Sequence, residues 1–223
     1  MMPESKRLQR VLELVEPVDC IGDIGCDHGY ISYALLEGNL AKKVIASDIS
    51  APSLEKARSL LSSRFSQESF SLRVGDGLKP MEVGEMNGAI IMGMGGRLIA
   101  DILQRDPDKA AALEYLILQP MQGAEDLFDY LNASGFALLQ SDLVEERGKF
   151  YPVLLVKKGD GSTISWKSFA QRDDFIPMAE KELERLRGVR CAVEKSGRAD
   201  VIEKAEADVK VWEDYLEYSR THQ

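Results

Sequence analysis

Four short segments gather most of the residues that could do chemistry, and each stands where an apolar run stops. They are Asp23-Ile24-Gly25-Cys26-Asp27-His28-Gly29, Ala46-Ser47-Asp48-Ile49, Gly75-Asp76-Gly77 and Gly93-Met94-Gly95-Gly96. Glycines at such places let the backbone come close to a bound molecule. Gly22, Gly25 and Gly29 lack the G-x-G-x-x-G spacing that cradles the pyrophosphate of a dinucleotide. The loops instead carry Asp23, Asp27, Asp48 and Asp76, which disfavours a phosphate group and suits a cationic ligand. Asp48 lies 23 residues after Gly25, close to the offset of roughly 20 at which a carboxylate grips ribose hydroxyls. Asp76-Gly77 is also an ordinary turn pair. Three acid-bearing loops after three successive runs are harder to assign to turns than one.

The elements that must position these loops follow from periodicity. Leu8, Val11, Leu12 and Val15 share a face, so a helix is expected over Lys6 to Val15 with Ser5 as its cap. Cys20 to Gly25 reads as a buried strand and Tyr30 to Leu36 as the next helix. Lys43 to Ile49 is a second strand, followed by a helix over Ser53 to Ser62 with Pro52 at its start. Ser71 to Gly77, Gly88 to Gly96 and Tyr115 to Pro120 are further strands. Arg97 to Gln104 and Ala124 to Ala133 are helices between and after them. Two strand-like runs around Arg147-Gly148 suggest a closing antiparallel pair. Such alternation predicts an α/β fold: a mostly parallel sheet, right-handed crossovers and helices on both faces.

Composition changes after Gly159, where Gly159-Asp160-Gly161-Ser162 reads as a linker. Ile176, Ala179, Leu183 and Leu186 step at helical spacing, as do Ile202, Ala205, Val209, Trp212 and Leu216. With Ser196-Gly197 as the turn, they predict an antiparallel helical hairpin. The expected domains are therefore 1–159 and 160–223. The formal charge is -9, with 28 bases against 37 acids, which weighs against a general nucleic-acid binder. A local basic stripe could still bind phosphate. No apolar run is long enough to span a bilayer, and the N-terminal stretch lacks a signal-peptide core. Three cysteines without a CxxC motif suit a reduced, cytoplasmic setting, and two histidines make a multi-histidine metal site unexpected.

In combination, DIGCDHGY, VIASDIS, RVGDGL, GMGG and LILQP, followed by the hairpin, resemble the bacterial tRNA adenine-N1 methyltransferases that modify position 22, the TrmK family. The resemblance covers essentially the whole chain. The first segment is similar to the acid-x-Gly-x-Gly-x-Gly motif of class I S-adenosylmethionine-dependent methyltransferases, with Asp27 where the middle glycine usually stands. The resemblance implies a Rossmann-like class I methyltransferase sheet, S-adenosyl-L-methionine as cofactor and tRNA as partner. It implies Asp23 for the methionine ammonium, Gly25 and Gly29 for close backbone approach, and Asp48 with Ile49 for the ribose side. It implies Asp76 with Gly77 for the adenine amine, and Gly93, Met94 and Gly95 at the border between methyl group and acceptor. Two departures stand out: Gln119-Pro120-Met121 replaces the family's Gln-Pro-Asn, and Asp48 stands where glutamate is common.

On this reading Asp27 is the candidate to stabilise charge on a methylated base, and His28 to position cofactor or base. Tyr30, Phe150 or Tyr151 could stack on the base, with Tyr151 preferred at the start of the last strand. Lys6, Arg7 and Arg10 on the first helix, with Lys181 and Arg185 on the hairpin, are the expected phosphate-binding cations. Glu180, Glu182 and Glu184 interleave the latter and also fit a solvated, salt-bridged face. A monomer without metal is expected. Two other readings are open: a methyltransferase acting on a small molecule or protein, and a non-catalytic nucleotide- or RNA-binding module.

Overall fold

A computed structural model describes residues 5–195 and 198–222. It divides into two compact units, Met1–Ile164 and Ser165–Gln223. The expected turn at Ser196-Gly197 lies outside the described residues.

The first unit is a seven-stranded sheet of order β3-β2-β1-β4-β5-β7-β6. Its strands are β1 (Val18–Ile24), β2 (Ala41–Asp48), β3 (Phe70–Val74), β4 (Gly88–Met94), β5 (Tyr115–Pro120), β6 (Phe136–Glu146) and β7 (Lys149–Lys158). The first five pair in parallel, and β7 joins β5 antiparallel with β6 outside it. Helices α1 (Lys6–Glu13), α2 (Tyr30–Glu37), α3 (Ala51–Ser62), α4 (Gly96–Arg105), α5 (Pro107–Ala111) and α6 (Ala124–Ala133) connect or flank the strands. The short α5 falls in a segment with no expected element.

The central strands are apolar because neither face meets water. All six residues of β5 are buried, and Ile90, Ile91 and Ile117 are fully so. Each such side chain stabilises the fold by about 1.5–3 kcal/mol of transfer. Strand order reverses between β1 and β4, and ligands of open α/β sheets bind beyond the carboxyl ends of the strands at that point. The four chemistry-bearing segments all lie at those carboxyl ends.

Ser5 caps α1 as expected, its hydroxyl accepting from the Leu8 N–H at 3.3 Å. The helix stops at Glu13, two residues early, because Leu14 and Val15 close its last turn with shorter-range bonds to Val11 and Leu12. The linker after Gly159 packs with the first unit. Ile164 is buried, and both its backbone groups bond the Asn132 side chain, at 2.8 and 2.9 Å.

The second unit is two helices, α7 (Phe175–Glu194) and α8 (Ala199–His222), preceded by a 3-10 turn at Trp166–Phe169. Ion pairs Glu180–Arg220 at 2.7 Å and Arg187–Glu213 at 2.8 Å set the helices antiparallel. Ala179, Leu183 and Leu186 are buried on α7, and Ala205, Val209, Trp212 and Leu216 on α8. Ile176 and Ile202, the first residues of each stripe, are only partly buried. Trp212 also meets Trp166 at 5.5 Å and Tyr215 at 5.7 Å between ring centres.

Candidate functional site

The loop after β1 is a chain of left-handed residues. Gly25 and Gly29 have φ of 75° and 77°, and Asp27 has 47°. A residue with a Cβ rarely adopts this region, and Asp is among the few that do so at modest cost. The backbone at position 27 is therefore one a glycine would adopt freely, and here it carries a carboxylate. Gly25 and Cys26 N–H groups donate to the Ser47 carbonyl at 2.8 and 3.0 Å, which ties this loop to the end of β2.

Asp48 completes the tie. Its Oδ2 accepts from the Asp27 N–H at 3.0 Å and its Oδ1 from the Ser50 N–H at 2.8 Å. The two acid loops are thus one hydrogen-bonded unit. The Asp27 carboxylate accepts from Ser53 Oγ at 3.3 Å and pairs with His28 Nδ1 at 2.6 Å. Lys56 Nζ lies 3.0 Å from His28 Nε2. His28 thus orients Asp27, with its ring stacked 6.0 Å from Tyr30.

Asp23 lies deeper, at 2% exposure. Its Oδ2 accepts from Ser32 N–H at 3.0 Å and Ser32 Oγ at 2.6 Å. Burial pushes its carboxyl up to about 6, against the pull of the Ser32 bonds, and nearby Asp48 adds to the rise. Asp76 is the opposite case. It is only partly buried, and Arg105, with help from Lys79, holds its carboxyl below the usual range. Arg105 Nη2 reaches its Oδ1 at 3.0 Å, and Nη1 also bonds Oδ2. A carboxylate has about four acceptor sites, so Asp76 keeps capacity for a ligand amine. Gly77 packs against Ile102, where a Cβ would come within 2.7 Å. Ile49, beside Asp48, is 75% exposed at the end of β2.

Across the switch point, the register of β4 shifts between Met92 and Met94, with Gly93 at φ 79°. A Cβ on Gly93 would meet nothing within 4 Å, so space stands open above this strand end. Bulges re-aim side chains near functional sites. Here the Met94 methyl lies 2.0 Å from where a Gly25 Cβ would stand, so Met94 covers that glycine. Gly96 packs against the next loop: its Cβ would fall 2.0 Å from the Gly123 carbonyl oxygen. Gly96 N–H donates to the Gln122 carbonyl at 2.8 Å, and Met121 N–H to the Met94 carbonyl at 2.7 Å.

The expected cations are all engaged. Lys6 pairs with Glu145 at 3.2 Å, and Arg10 with Glu13 and Asp142 at 2.7 and 2.6 Å. Arg7 bonds Glu146 at 2.8 Å and covers the Tyr151 ring at 4.7 Å. Tyr151 is 8% exposed, so its ring offers no face to a base unless Arg7 leaves it. Phe150 is half-buried and Tyr30 half-buried. Arg185 pairs with Glu182 at 2.9 Å, and Lys181 also has a partner. Ser32, Ser53, Lys56 and Arg105 belong to the site but escaped sequence reasoning. Each is an unremarkable residue in a helix, and only the fold shows that Ser32, Ser53 and Arg105 face loop acids and Lys56 faces His28.

The donor set fits a cationic, ribose-bearing cofactor. Carboxylates at Asp27, Asp48 and Asp76 stand at the carboxyl ends of β1, β2 and β3, with open space at Gly93 on β4 and the exposed apolar side chain of Ile49 next to Asp48. Among the described residues, no group of three or more His, Cys, Asp or Glu is placed to hold a metal ion. No described helix is long and apolar enough to cross a membrane.

A methyltransferase-domain family model matches residues 4–154. The tRNA (adenine(22)-N(1))-methyltransferase of Bacillus subtilis (strain 168) is 38% identical over 157 residues, 70% of this chain and 66% of that relative. The crystal structure of the B. subtilis m1A22 tRNA methyltransferase TrmK is similar at 30% identity and TM-score 0.80, over 99% of each chain. A putative tRNA (m1A22) methyltransferase from Streptococcus pneumoniae, solved in complex with S-adenosyl-L-methionine, is similar at 28% identity and TM-score 0.84. That match covers 95% of this chain and 99% of the other.

Proposed function

This chain belongs to the methyltransferase-domain family and, within it, to TrmK, and from that premise we propose that it methylates N1 of adenine 22 in tRNA using S-adenosyl-L-methionine. The observation that carries the reading is the joined acid loops of Asp27 and Asp48 beside the open end of β4 at Gly93. When bound, the cofactor supplies an electrophilic methyl group on a cationic sulfur.

Neutral adenine N1 has a lone pair, so no base is needed before attack, and catalysis rests on positioning. Asp48 would hold the ribose hydroxyls, its carboxylate already oriented by the Asp27 and Ser50 amides. Asp76, held by Arg105, would accept from the adenine amine of the cofactor. Asp23 would supply a buried negative charge toward the ammonium. Ile49, exposed beside Asp48, would line the ribose side of the cofactor.

On the acceptor side, positive charge builds on the target purine as its N1 is methylated. Asp27 stabilises that charge and accepts from the exocyclic amine, held in aim by His28 and Ser53. Reaching N1 in folded RNA requires extrusion of the nucleotide at a cost of a few kcal/mol. We further assign tRNA phosphate to Lys6 and Arg10 on α1 and to Lys181 and Arg185 on α7. The helical unit is then a tRNA-binding domain, and the chain acts as a monomer in the cytoplasm.

The test is to incubate protein, cofactor and an unmodified tRNA transcript, then map the methyl group. The expected product is 1-methyladenosine at position 22, absent from a transcript with guanosine there. Methylation elsewhere, or only of a small molecule or protein, overturns the reading.

A further inference from the structure

Arg7 was expected to meet RNA phosphate, but its surroundings point elsewhere. Its guanidinium reaches 112 residues along the chain to the end of β5. Nη1 donates to Gln119 Oε1 at 3.1 Å and contacts Met121 Sδ at 2.9 Å. Nε donates to Glu146 Oε2 at 2.8 Å, and Glu146 is itself held by Ser5 Oγ at 2.9 Å. The Tyr151 ring supports the group from one face at 4.7 Å. Only 18% of the Arg7 side chain is exposed. An arginine on an RNA surface needs free donors, and this one has committed a fork of donors and a ring face inside the protein.

What it holds is the loop at the acceptor edge. Gln119 is fully buried, and with Oε1 taken by Arg7 its amide donates to the Pro120 carbonyl at 2.7 Å. The next residues bond directly to the loop after β4: Met121 N–H to Met94, and Gly96 N–H to Gln122. A chain of contacts therefore runs from α1 through Arg7 and Gln119 to Met94, which covers Gly25.

We propose that Arg7 is a positioning residue that fixes the Gln119–Gln122 loop, and through it the Gly93–Gly96 loop, in the geometry needed for methyl transfer, and is not a phosphate contact. This rests on the methyltransferase reading of the site. A displaced loop at a reacting centre costs rate more than binding, on the order of 100-fold for 1 Å. Lysine can supply neither the fork nor the stacked plane.

Arg7→Gln and Arg7→Lys are compared with the wild-type protein for kcat, KM for tRNA, tRNA affinity against salt, S-adenosyl-L-methionine affinity by calorimetry, and thermal midpoint. The expected result is a kcat lower by about 10- to 100-fold in both variants. Affinities for tRNA and cofactor stay within about twofold, with an unchanged salt slope. If tRNA affinity falls, the salt slope shrinks by about one and kcat holds, Arg7 is a phosphate contact and the proposal is wrong. A lower thermal midpoint with unchanged kcat makes it a structural staple and also overturns the proposal. Glu146→Gln keeps the test open if the Arg7 variants do not fold. It loosens the same guanidinium and is expected to lower kcat by about threefold with tRNA affinity unchanged; an unchanged kcat overturns the proposal. A wild-type protein that methylates no tRNA fails the functional reading itself, and that outcome is visible before any variant is made.

Discussion

The two sides of the switch point are built on different principles. On the β1–β2 side, carboxylates are tied to backbone amides and hydroxyls over short sequence distances: Asp27 to Asp48, Asp48 to Ser50, Asp23 to Ser32. On the β4–β5 side, acids are scarce, and shape comes from glycines, methionines and an arginine brought from α1. On the proposed reading the first side holds charge against a cation. The second holds backbone close against backbone and leaves room above Gly93. One side recognises by electrostatics, the other by fit, so they should fail differently when altered.

The sharpest break is at Asp27, on the electrostatic side. Asp27→Ala removes the carboxylate but keeps Asp48 and the glycines. Methylation should fall by about 100-fold or more, the usual scale for one group aimed at developing charge. Cofactor affinity by calorimetry should change little, because the ribose grip remains. Equal methylation rates in variant and wild type would remove Asp27 from the mechanism. Next is Gly96→Ala on the opposite side. The new methyl would meet a backbone carbonyl oxygen at 2.0 Å, and no side chain can move to relieve it. A loss of about 1–3 kcal/mol in chemical denaturation is expected, with methylation falling alongside. A stable, active Gly96→Ala protein would show that this side tolerates slack.

The same contrast explains what could be read from the sequence. Alternating strand and helix signals, the loop acids and the apolar stripes of α7 and α8 are local patterns, and the corresponding elements are present in the fold. Expectations of stacking by Tyr151 and of free cations on α1 ran into partners no local pattern shows. Tyr151 lies under Arg7, and Lys6 and Arg10 face Glu145 and Asp142 on β6, more than 130 residues away in sequence. The order β5-β7-β6, with the last strand inserted, brings those acids to α1. The orientation of Asp27 by His28 and Lys56 was hidden for the same reason, since Lys56 lies 28 residues on, in α3.

The proposed tRNA surface gives a smaller effect. Lys6, Arg10 and Arg185 already face carboxylates, so phosphate must exchange with an existing partner. Each exposed pair is worth at most about 1 kcal/mol, so exchange is feasible but gains little. Lys181→Glu with Arg185→Glu should weaken tRNA binding by about 10-fold, mostly by adding repulsion, and leave cofactor affinity intact. In the unaltered protein the salt slope should correspond to about four phosphates or fewer. A steep slope, or unchanged affinity in the double variant, would move the tRNA surface off α7.

The smallest effect separates the electrostatic side most cleanly from the shape-fitting one. Asp23 has a folded pKa of about 6, above its ordinary value of 3.8. Between those values the folded protein keeps a proton that the unfolded chain has lost. The neutral form's contribution to stability is therefore full below about pH 4 and is lost as pH rises toward 6. Above that, the buried charge costs about 3 kcal/mol. A cation bound over the site favours the ionised form and draws the pKa back down. Binding of S-adenosyl-L-methionine at pH 6 should then release up to about half a proton, and affinity should rise with pH through this range before levelling. Calorimetry in two buffers of different ionisation enthalpy measures the release. Asp23→Asn should abolish it, whereas Arg7→Gln, acting on the other side, should leave it unchanged. Equal release from Asp23→Asn and wild type would mean that the cofactor's charge is felt by another group, and that Asp23 serves only to anchor Ser32.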